Sequence, residues 1–85
     1  MNVQLRFFAS LREALGASSE SISVPSEVAT IGALRAHLRL RGGAWAEALA
    51  EHRVVRTACN QVMVDAAALL SDGCEVAFFP PVTGG

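Results

Sequence analysis

Lysine is absent from this chain of 85 residues. All seven basic residues are arginines: Arg6, Arg12, Arg35, Arg39, Arg41, Arg53 and Arg56. A chain without lysine offers no ε-amine and cannot accept a lysine-linked branch. Its α-amino group is its one primary amine. Genomic base composition is the simplest source of the bias. Charge of one sign is lacking as well. Eight acidic residues leave a net charge of -1, and the pI is about 6.0. That removes any electrostatic case for binding nucleic acid or an anionic membrane. Cysteine is scarce, with only Cys59 and Cys74. They form no Cys-x-x-Cys, and with His37 and His52 they lack the spacing of a metal finger. Both stand in apolar, strand-like runs, where cysteine behaves as a small buried hydrophobe. No secretory leader precedes the first strand, and no apolar run approaches a membrane span. The expectation is a soluble, cytoplasmic protein with no bound metal.

Catalytic groupings are equally thin. His37 falls on a helix and His52 in a loop, neither with a Ser or Cys partner at a useful spacing. Asp65, Asp72 and Glu75 read as turn and strand-edge residues rather than an acid/base pair. No glycine-rich loop leads into a helix in phosphate-binding fashion. The chain is expected to carry no catalytic machinery of its own.

What is present is apolar. The composition is 52% hydrophobic and only 18% charged. A domain this small buries roughly 60–65% of its unfolded surface, so apolar area is left over for a partner. Val3, Leu5 and Phe7 alternate with Gln4, Arg6 and Phe8 at the period of a half-buried strand. Ser10 and Glu13 have the spacing of a capping box, and Gly16 the place of a helix terminator. Ser21 to Val24 alternates again, up to Pro25. Thr30 is placed to cap a helix over 31–40, with Ile31, Leu34 and Leu38 on one face and Gly42-Gly43 as its end. Trp45, Ala48 and Leu49 suggest a further helical turn. Val54 to Cys59 reads as a strand, Asn60-Gln61 as a tight turn, and Val62 to Val64 as its return. Leu69 and Leu70 form a small apolar plug. Ser71-Asp72-Gly73 is a turn signal, and Cys74 to Phe79 is a last strand stopped by two prolines. This order predicts an α+β domain over 1–79, with a helix packed on one face of a mixed sheet. Residues 80–85 read as a detached, flexible tail.

Parity within the strands separates two faces. If one helix covers the Val3, Leu5 and Phe7 side, then Phe8, Met63 and Phe79 lie on the open side. A face bearing two phenylalanines and a methionine is a candidate docking surface, and Phe79 leads into the tail. That tail, Pro80-Pro81-Val82-Thr83-Gly84-Gly85, finishes on two glycines. Without a Cβ the backbone can approach another surface closely. Such a thin tip would suit an enzyme that grips and activates a C-terminal carboxylate, while small, polar ends are also common at ordinary termini.

Phe7-Phe8-Ala9, Leu11-Arg12-Glu13, Asn60-Gln61 and the run Leu70-x-Asp72-Gly73-x-Glu75-Val76-Ala77-Phe78-Phe79-Pro80-Pro81-Val82-Thr83-Gly84-Gly85 carry a resemblance. Together they resemble the small, sulfur-carrier subunits of molybdopterin synthase, over essentially the whole chain. Terminal Gly-Gly alone is shared with ubiquitin-like modifiers and the thiamine sulfur carrier. The Phe-Phe-Pro-Pro-Val-Thr-Gly-Gly stem is much narrower. Cys74 departs from the pattern, because an acidic residue commonly follows the Asp-Gly turn.

The resemblance implies a β-grasp, ubiquitin-like fold of about five strands. It implies that Gly85 is adenylated by an E1-like adenylyltransferase using ATP, converted to a thiocarboxylate by a sulfur donor protein, and inserted into the large, catalytic synthase subunit. There it would donate sulfur to cyclic pyranopterin monophosphate. No cofactor would be bound stably, and ATP would belong to the activating partner. Gly84, Thr83, Val82, Pro81 and Pro80 would thread a narrow channel, while Phe8, Met63 and Phe79 would bury against the partners. The family implies two copies of each chain in the complex. Carriers for thiamine or cysteine synthesis, a protein modifier, and a plain interaction module remain open on the sequence.

Overall fold

The computed structural model describes residues 1–81. Five strands form one mixed sheet. β1 spans Asn2–Phe7, β2 Ser19–Ser23, β3 Arg56–Cys59, β4 Val62–Val64 and β5 Glu75–Phe79. Their order across the sheet is β2-β1-β5-β3-β4. β1 and β5 are parallel at the centre, and the other pairings are antiparallel. Three helices join in: α1 (Ala9–Leu15), α2 (Ile31–Arg39) and α3 (Gly43–Ala48). This is the β-grasp arrangement.

One face of the sheet is dry. Val3, Leu5, Phe7, Val76 and Phe78 are almost fully buried against Ile31, Leu34 and Leu38 of α2. Those three helix positions fall on one stripe because their spacing follows the 3.6-residue turn. Each such side chain contributes roughly 1.5–3 kcal/mol by leaving water. Phe7 and Phe78 stack with centroids 5.8 Å apart, and Trp45 of α3 meets Phe7 edge-on at 5.3 Å.

α2 starts as its sequence indicates, with Thr30 Oγ1 accepting the Ala33 N–H at 3.1 Å. Arg35 then reaches from α2 toward the chain entering β3. It donates to the carbonyls of Leu49 and Arg53, both at 2.8 Å, and to that of Ala50. These bonds satisfy orphan carbonyls at the end of α3 and fix the approach to β3.

Several local expectations need correction. Ser10 is not a cap. Phe8, extended directly after β1, is the cap: its N–H donates to Phe78 O, and its carbonyl accepts the first helical bonds from Leu11 and Arg12. Ser10 therefore already lies inside α1, although Gly16 does end it in the left-handed conformation. Gly42-Gly43 does not end α2, which closes at Leu40 with ordinary helical dihedrals. Gly42 instead opens α3 at φ 75. β3 begins at Arg56 rather than Val54. Leu69 is no plug. It is exposed, making an isolated bridge to Thr30, and Leu70 alone is buried.

Candidate functional site

The uncovered face of the sheet can be read row by row from the registers. Directly opposed residues point to the same side. Arg6 faces Ala77 on β5, Ala77 faces Ala58 on β3, and Ala58 faces Met63 on β4. One row therefore runs Arg6, Ala77, Ala58, Met63. The next row toward the C-terminal end of β5 places Phe8 beside Phe79, and Phe79 opposite Arg56. The row at the other end holds Gln4 and Glu75. Two alanines stand between Arg6 and Met63 in the middle row, beside the row of Phe8 and Phe79.

Phe8, Met63 and Phe79 thus share the open face. Phe8 is 41% exposed and Met63 57%, while Phe79 is half-buried. Ala9, at φ 53, makes the corner that sends α1 away from the sheet and leaves Phe8 as the last residue of the face. A non-glycine residue in that left-handed region costs about 1–2 kcal/mol. β5, central in the sheet, hands the chain directly to Pro80 and Pro81, both partly exposed. Proline fixes φ and removes a donor, so the ladder ends there and a stiff stem begins. Val82, Thr83, Gly84 and Gly85 lie outside the described residues.

Charged neighbours complete the face, and the motifs did not point to them. The Arg6 guanidinium carbon lies 5.5 Å from the centre of the Phe8 ring. Its Nη1 stands 3.8 Å from Glu75 Oε2. Arg56 stands across from Phe79. Strand parity gives the side for each of these, but which residues face one another follows only from register.

The cysteines do not form a second site. Both are free thiols on the core side. Cys59 faces Val76, two residues beyond Cys74. This diagonal sets the two thiols side by side on the core side of the sheet. Burial, and then the neighbouring Cys74, push the Cys59 thiol above its usual range. Thiolate chemistry is correspondingly disfavoured. Among the described residues, no helix is long and apolar enough to cross a membrane.

The profile of the ThiS family matches residues 5–85. This chain belongs to the ThiS family. Its relatives include the molybdopterin synthase sulfur carrier subunit of Escherichia coli strain K12, 41% identical over 83 residues. That match covers 98% of this chain and 99% of the relative. Among solved structures, the ThiS-family chain resembles one in the complex of subunits 1 and 2 of molybdopterin-converting factor from Helicobacter pylori 26695. There the TM-score is 0.69 at 28% identity, with all of both chains covered. SAMP1 from Haloferax volcanii shares the fold, with a TM-score of 0.74 at 24% identity over all of both chains.

Proposed function

We propose that this chain is the sulfur carrier of a molybdopterin synthase. The observation that carries this reading is the exit of the chain from the sheet. β5 is the central strand, and it passes straight into Pro80-Pro81 beside Phe8 and Phe79. A partner seated on those rings would receive the tail at a fixed place and angle. The whole-length similarity to the Escherichia coli carrier supports the same reading.

The chemistry starts from a poor electrophile. The Gly85 carboxylate is ionised at neutral pH, since α-carboxyl groups titrate near ~3.5. An E1-like adenylyltransferase joins it to the α-phosphorus of ATP, and pyrophosphate leaves. Sulfide delivered by a donor protein attacks the acyl carbon, and AMP leaves. The resulting thiocarboxylate is the nucleophile that meets cyclic pyranopterin monophosphate in the large synthase subunit. Two such transfers build a dithiolene. Gly84 keeps the tip thin, and Val82 and Thr83 thread the partner's channel with it. Pro80 and Pro81 reduce the entropy lost when the tail is held.

Intact mass after incubation with ATP, the adenylyltransferase and a sulfide source tests the assignment. The expected gain is that of exchanging one oxygen for one sulfur, confined to the peptide ending at Gly85. Deleting Gly85 should abolish it. An unchanged mass with a demonstrably active activating enzyme would refute the assignment.

A further inference from the structure

Three charged side chains lie on the strands of the open face, and two of them answer each other. Arg6 pairs with Glu75 and rests over Phe8. Arg56 makes no ion pair among the described residues. It occupies the row of the two phenylalanines, directly across from Phe79. The next place in that row falls to Asp65, because Thr57 faces Val64. Asp65 Oδ1 instead accepts the Ala67 N–H at 2.9 Å, and its carboxylate stays outside ion-pair distance of Arg56.

On the sulfur-carrier reading, we propose that Arg56 is a specificity-determining contact of the docking face. The large synthase subunit, in covering Phe8 and Phe79, sets a carboxylate against the Arg56 guanidinium. Two facing residues of an antiparallel pair have Cβ atoms about 4.5–5.5 Å apart. A partner surface that excludes water from Phe79 therefore also covers Arg56. Taking a guanidinium out of water without a counter-charge is strongly unfavourable. A carboxylate meets its planar fork through two parallel hydrogen bonds. Arg6 and Glu75 answer each other, which leaves Arg56 as the guanidinium without an ion pair among the described residues of this face, next to the stem. An uncharged or basic surface of the same shape would be rejected by the same residue.

Calorimetric titration of the full chain with the purified large synthase subunit of the same organism tests this, at low and high salt. Wild type should bind, and more weakly as salt rises. Arg56→Gln should weaken binding by roughly thirtyfold or more, as expected when one partner of a covered ion pair is lost. Arg56→Glu should weaken it further, and both variants should flatten the salt dependence. Arg39→Gln, on the helix side of the sheet, should bind like wild type. Thermal melts of each variant establish that it folds, and Arg56→Gln keeps a long polar side chain at an exposed strand position. Wild-type affinity and salt response in both Arg56 variants would overturn the proposal and leave the sulfur-carrier reading standing. An equal loss in Arg39→Gln would also overturn it, since the effect would then be one of overall charge. No binding of wild type to the large subunit would remove the sulfur-carrier reading, and this proposal with it.

Discussion

Asn60 and Gln61 turn β3 back into β4 with φ of 49 and 69. Two successive left-handed residues make the mirror-image turn that suits a twisted hairpin. Asparagine tolerates this conformation, and here its Oδ1 also accepts the Glu75 N–H at 2.9 Å. Glutamine has no such compensation. Gln61→Gly should therefore raise stability by about 0.5–1 kcal/mol, measured as a higher urea midpoint with an unchanged slope. The turn itself was legible in the sequence, since two polar residues separate two apolar runs. The roles of Arg6 and Arg56 were not. A charge on a strand ordinarily signals only the solvent side. Its stacking on Phe8, or its place opposite Phe79, depends on a pairing register that one sequence does not print.

At the level of elements, an edge is held by charge. Arg41, just after α2, forks onto both carboxylate oxygens of Glu20 on β2, with Nη1 to Oε1 at 2.9 Å. Its guanidinium carbon also lies 4.4 Å from the centre of the Trp45 ring. The hydrogen bond and charge of Arg41 hold the Glu20 carboxyl below its ordinary value. A carboxylate whose folded pKa is depressed stabilises the fold above its unfolded value, and that share is lost as pH falls through the folded value. Glu20→Gln should cost no more than about 1 kcal/mol at neutral pH, given partial exposure. The gap to wild type should close on acidification below the ordinary glutamate range, as followed by denaturant titration at a series of pH values. The elements that were misread share one cause. Ser10, Gly42-Gly43 and Leu69 all carry sound local signals. Each was overridden by a neighbour: Phe8, still extended after β1, taking the cap position, α3 starting where α2 stops, and Thr30 drawing Leu69 into a bridge. The Ile31, Leu34 and Leu38 stripe survived because all three side chains meet the same core.

In the whole molecule, two adjacent phenylalanines have opposite fates. Phe78 is fully buried and stacked on Phe7, whereas Phe79 faces the open side. Phe78→Ala should cost about 3–5 kcal/mol, enough to unfold much of so small a domain at physiological temperature. Phe79→Ala should lower stability clearly less than Phe78→Ala and leave the chain folded, as a thermal melt would show. It should weaken binding to the large subunit and to the adenylyltransferase alike, if the two compete for one face. Binding unchanged to both would end the idea of a shared surface. The layered α+β class was readable from the alternation of periods, and the open face from parity alone. The same layering separates two kinds of signal. Trp45 is the one tryptophan, and the chain has no tyrosine. The ring sits on the helix side, against Phe7 and under Arg41, with the sheet between it and the docking face. Intrinsic fluorescence of this protein is therefore a report on the core by a single emitter. It will follow unfolding faithfully and stay nearly silent while partners come and go on the other side.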